Sequence, residues 1–286
     1  MAHRSPAAPS RAIRRSMAMA ITNGGAVWLG SPAQLDGNTF VGNTAQGRDG
    51  RGGAVFVLGG ISGDGVSRRS GVVRVVDPAG REHIGNTAQE GGAVLVSSGI
   101  SGEGSLLSNC IFMNNTAIDG GGAVVLQSSA RVERNTFVGN IANGSNSLGG
   151  AVRVDDGISG HVSNCTFTNN MARTAGGAVW LRSSVQLDRN TFVGNTVQNT
   201  YSGGGAVFIW IMAGFGDRPV ISNCTFTNNT AVLQGGAVGL RSVAQLDMNT
   251  FVGNTVRRGA GGAVFVAAGI RGEGSLSNCT FTNNMA

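Results

Sequence analysis

Residues Gly176 to Asn195 read GGAVWLRSSVQLDRNTFVGN. A double glycine opens a short apolar run, a second run follows, and a Phe and an Asn close the stretch three residues apart. Gly-Gly-Ala-Val occurs nine times, with first glycines at Gly24, Gly52, Gly91, Gly121, Gly149, Gly176, Gly204, Gly235 and Gly261. Phe-x-x-Asn has eight intact copies, from Phe40 to Phe281, and a degenerate one at His83–Asn86. A period near 30 residues repeated about nine times is the signature of a solenoid.

The copies are of two kinds. One reads NTFVGN, as at Asn135–Asn140, and the other SNCTFTNN, as at Ser163–Asn170. From Phe112 onward they alternate, which points to duplication of a double coil. Loops of the type GISGEG (Gly99–Gly104) interrupt one half of that unit, and residues 66–82 break the pattern altogether. The sequence leaves open whether residues 66–82 are a decayed coil, an excursion or a reading-frame error.

Gly-Gly and Asn interrupt every window in which a helical period could run. What survives is alternation over four to six residues, enriched in Val, Thr and Phe, which is strand chemistry. The Val of each Gly-Gly-Ala-Val and the residue two later are apolar throughout, as in Val152 and Val154. The residue between them ranges over Trp28, Phe56, Arg153, Trp180, Phe208, Gly239 and Phe265. Period two places the Val pair inside and the variable residue outside. The expectation is an all-β chain: a right-handed parallel β-helix of about nine coils over residues 21–286, with an in-register sheet on each side. Residues 1–20, with four Arg and no acid, read as a disordered or targeting tail.

The paired motifs resemble the repeats of chlamydial polymorphic outer membrane proteins, whose hallmarks are GG-A-I/V and F-x-x-N. The resemblance covers residues 22–286. It implies a pectin lyase-like β-helix displayed at a cell surface and acting in adhesion.

Composition limits the chemistry. The net charge is +6, all from Arg without Lys, but the arginines are scattered, so no nucleic-acid partner is expected. No apolar run is long enough for a membrane helix. The cysteines Cys110, Cys165, Cys224 and Cys279 recur every second coil, roughly 9.6 Å apart at the usual strand spacing, too far for a disulfide or a zinc site. No metal or cofactor is expected. Asp36, Glu133, Asp188 and Asp247 share one repeat position and read as turn caps.

Two rows remain. Asn43, Asn86, Asn115, Asn140, Asn170, Asn195, Asn229, Asn254 and Asn284 close every coil and read as a structural amide ladder. The outward row of Trp28, Phe56, Arg153, Trp180, Phe208 and Phe265 is the candidate ligand surface, for a glycan or a surface protein. Whether that row is exposed or covered stays open, because parallel sheets are usually covered. The expected function is non-catalytic adhesion or binding, at the cell surface or secreted, as a monomer or part of a longer chain. The alternatives are a carbohydrate-active enzyme on the same fold, a lyase or hydrolase with converging carboxylates, and a fragment of a larger surface protein.

Overall fold

The computed structural model describes residues 24–29, 34–36, 38–45, 50–57, 74–76, 82–97, 105–127, 130–155, 160–199, 203–211, 218–267 and 274–286. The expected tail and the edge loops Gly60–Gly65 and Gly99–Gly104 lie outside these residues, as do residues 269–273 of the third such loop.

The described residues form a parallel β-solenoid with four sheets rather than the two expected. One coil shows the layout: strands Val179–Leu181, Val185–Asp188, Thr191–Val193 and Thr196–Val197 each belong to a different sheet. Three sheets have nine strands and the fourth has seven. Strands pair with their equivalents one coil away and keep like residues opposite like: Phe137 with Phe167, Phe167 with Phe192, Phe192 with Phe226.

The extra sheets come from left-handed backbone at the corners. Between the second and third sheets φ is 54° at Arg134, 53° at Asn164, 51° at Arg189 and 52° at Asn223. Between the third and fourth it is 62° at Gly139, 53° at Asn169, 64° at Gly194 and 54° at Asn228. Asn and Gly are the residues that tolerate this region best. The two repeat types are therefore two solutions for one corner: FVGN supplies Gly, and FTNN supplies Asn.

The second glycine of each pair serves packing instead. A Cβ on Gly177 would collide with the Gly205 carbonyl of the next coil and come 2.7 Å from Thr196 N.

Inside the tube, Val, Leu and Phe side chains form one continuous buried core, including Val179, Leu181, Leu187 and Phe192. The rings of Phe137, Phe167, Phe192, Phe226, Phe251 and Phe281 stack with centroids 4.8–4.9 Å apart and planes within 7° of parallel. Neighbouring strands commonly rotate by about 20–25°, so this stack is nearly untwisted.

Of residues 66–82, the described ones, 74–76 and 82, hold ladder positions in the stack. Arg74–Val76 is a strand of the second sheet, with Val75 opposite Leu35 on one side and Leu107 on the other. Glu82–Ile84 takes its place in the third sheet, His83 standing between Phe40 and Phe112. These two strands keep the register of their neighbours where the side-chain motif is degenerate, because the ladder bonds are main-chain bonds.

Candidate functional site

The asparagines that close the coils are joined along the axis, and all but the half-exposed Asn284 are buried. Asn140 donates from Nδ2 to Asn170 Oδ1 at 2.9 Å, and its backbone N–H reaches the same oxygen at 3.0 Å. Its Nδ2 also donates to Phe112 O at 2.9 Å. The side-chain link repeats without a break from Asn43 to Asn284. Each amide oxygen takes two donors from the preceding coil. Amides engaged this way are not free to hold a ligand.

A second buried column alternates Cys and Asn. Cys165 N donates to Asn190 Oδ1 at 2.9 Å, and Asn190 Nδ2 reaches back to Val162 O at 2.7 Å. Asn190 N in turn points at Cys224 Sγ, 3.4 Å away. None of the four cysteines forms a disulfide among the described residues. Burial pushes the Cys165 and Cys224 thiols up to about 12.

The repeat acids cap corners. Asp188 Oδ1 accepts from Ser222 Oγ at 2.9 Å and from Asn223 Nδ2 at 3.0 Å, both in the next coil. Asp247 does the same for Ser277 and Asn278. Glu133, one carbon longer, turns to Arg131 instead. The side chain of Asp36 lies outside the described residues.

The outward row is the point on which sequence and structure differ most. The residues at that position pair in register along the nine strands of the first sheet, but they do not form a continuous exposed aromatic strip. Phe56, Trp180 and Phe208 are 1%, 3% and 2% exposed. Phe56 packs with its neighbours Leu95 and Val125, and Trp180 and Phe208 pack with Ala175 and Leu148. The sheet thus carries a second apolar layer on its outer face. Gly239 belongs to that layer: a Cβ there would come 2.8 Å from Phe208 Cδ2, so the glycine makes room for the ring beside it. Trp28 is 53% exposed, and Phe265 and Arg153 are half-buried.

Arg153 joins a polar cluster that sequence reading did not assemble. Its Nη1 donates to Glu90 Oε1 at 2.9 Å, its Nε donates to Asp155 Oδ1 at 2.7 Å, and its guanidinium carbon lies 5.8 Å from the centre of the Trp180 ring. Arg51 is 3.5 Å from the other Glu90 oxygen, and Gln127 Nε2 donates to the other Asp155 oxygen at 3.2 Å. Period two alone could have paired Arg153 with Asp155. Glu90 lies 63 residues away in sequence, and only the coil stacking brings it there. Trp180 Nε1 has no hydrogen-bond partner among the described residues.

Among the described residues no group of three or more His, Cys, Asp or Glu side chains could hold a metal, and no helix is long and apolar enough to cross a membrane.

These features have counterparts in known proteins. Residues 145–286 match the family model of the right handed beta helix region. The stack described above is a right-handed parallel β-helix. The chain is also similar to the probable outer membrane protein pmp8 of Chlamydia pneumoniae, 30% identical over 185 aligned positions that cover 49% of this chain. The match spans only 19% of that protein's length. No solved structure matches the chain.

Proposed function

We propose that this β-helix works by binding or adhesion, without catalysis, at a cell surface or after secretion. The observation that supports this most is the 30% identity to a probable outer membrane protein of Chlamydia pneumoniae over part of the repeat region. A repetitive tube whose ladder asparagines are engaged with one another along its axis suits display better than turnover. Of the aromatic row, Trp28 is the ring left open enough to stack on a sugar or to anchor a protein partner. The test is a glycan array and a cell-binding assay with the purified chain and with Trp28→Ala. Binding that Trp28→Ala weakens several-fold supports the reading; no binding to any glycan or cell surface overturns it.

A second reading, a polysaccharide lyase or hydrolase, has one specific observation in its favour. Glu90 and Asp155 converge on a single guanidinium, that of Arg153. Against it, all four carboxylate oxygens already face an Arg or Gln donor. Release of reducing ends or unsaturated products from uronate polymers, lost in Glu90→Gln, would establish the enzyme.

A further inference from the structure

The outward face of the third sheet carries a two-column array that neither the ladder nor the aromatic row accounts for. The residue before each stacked Phe is Thr in six consecutive coils, from Thr136 to Thr280. The residue after it alternates between Val and Thr: Val138, Thr168, Val193, Thr227, then Val252 and Thr282. The strands are in register, so each Thr stands directly beside the next. Neither column holds a charge in these coils, and both are half-exposed, rising to exposed at Thr280 and Thr282.

The array is flat and regular. The Phe rings behind it repeat every 4.8–4.9 Å with planes no more than 7° apart. The two columns are two residues apart along the strand, about 6.7 Å. β-Branched side chains have few rotamers, so the hydroxyl and methyl groups form a rigid grid.

Strand propensity favours Thr, but it does not exclude charge. In the same coils the outward face of the second sheet carries Arg131, His161, Gln186 and Gln245, with Glu133 and Asp188 beside them. A folded protein partner has no strict repeat and would not require one. The face has no aromatic ring for sugar stacking and no charge for an ionic polymer. A partner that uses the whole grid must itself be periodic at these spacings. Water held by the hydroxyls and caged by the methyls would take up such a period, and it lies close to the oxygen repeats on faces of hexagonal ice.

We propose that the Thr-Phe-Thr and Thr-Phe-Val face of the third sheet binds ice. This site is separate from Trp28 and does not depend on the adhesion reading. The experiment measures thermal hysteresis, ice-crystal shaping and partition into growing ice for the full chain. Thr191→Lys and Thr225→Lys place charge at the centre of the grid, and Gln186→Lys is the control on the neighbouring sheet. Circular dichroism confirms that each variant keeps the strand signal of the parent. Faceted crystals and a hysteresis gap that the Thr variants cut at least several-fold, while Gln186→Lys leaves it intact, support the proposal. A folded parent chain that shapes ice no more than serum albumin at equal concentration overturns it. So does activity unchanged in both Thr variants, or a dimer in sedimentation that Thr191→Lys dissociates, since the face would then be a contact between copies.

Discussion

Asn229 Oδ1 accepts two hydrogen bonds from Asn195, one from the backbone N–H and one from Nδ2, both 2.9 Å long. The arrangement ties the side chain of one coil to the main chain of the coil before it. Asn195 is fully buried, and its own oxygen serves Asn170 N and Nδ2 in the same way. Asn195→Ala therefore leaves the Asn170 N–H and one hydrogen of Asn170 Nδ2 unpaired, while the other stays on Phe137 O, and it removes one donor from the Phe167 carbonyl. At about 1–3 kcal/mol for a buried group left unpaired, the loss is roughly 2 kcal/mol or more. Urea unfolding of Asn195→Ala checks this. The same change at half-exposed Asn284 costs less, because water replaces the lost partner.

The left-handed corners predict a gain. Met248 has φ 52° and is 52% exposed, so its side chain contributes little packing where its backbone is strained. The equivalent corners one coil away on either side hold Asn223 and Asn278. Left-handed backbone costs an ordinary residue about 1–2 kcal/mol. Met248→Asn should recover a good part of that, seen as a higher thermal midpoint with no change in the far-ultraviolet spectrum.

Thiol reactivity should separate the cysteines. The thiolate is the reactive form, and Cys165 and Cys224, pushed up to about 12 by burial, stay protonated at neutral pH. Cys110 is buried as well, whereas Cys279 is part-exposed. A chromogenic disulfide reagent at neutral pH should titrate Cys279 first in the folded chain, and the other three only after denaturation. Simultaneous rapid reaction of all four would contradict the buried column.

Asp188 makes stability depend on pH in a defined direction. Burial alone would raise its carboxyl, but the hydrogen bonds from Asn223 and Ser222, with Arg189 nearby, outweigh it and hold the group below the usual carboxylate range. A depressed folded value means the unfolded chain takes up protons first as pH falls. The contribution is complete above the unfolded value, about 3.9, and is lost as pH drops through the folded one. Asp188→Ala should cost at most about 1 kcal/mol at neutral pH, since the pair is near the surface. That difference from the parent should shrink as pH falls below the ordinary carboxylate value of about 3.9.

Much of the tube was legible because its signals are periodic. Phe137, Phe167 and Phe192 announce their stack by spacing alone, and the closing asparagines do the same. The corners were harder to read. Asn164 and Arg189 look like strand residues, and nothing local marks the single left-handed φ that starts a new sheet. The covering of Trp180 could not be read at all. It depends on Leu148 and Ala175, which lead into two different double glycines, and the neighbouring Phe208 needs the missing side chain of Gly239. Variability at that position goes with neighbours in adjacent coils adjusting to one another's size, as Phe208 and Gly239 do.

The unbroken run of amides from Asn43 to Asn284 has a sense. In every link the N–H groups point towards the higher-numbered coil and the oxygens towards the lower. Aligned peptide dipoles add in a helix, and these side-chain dipoles are aligned in the same manner. The tube therefore has an electrical axis, positive towards Asn284 and negative towards Asn43, running beside a core of stacked Phe, Val and Leu.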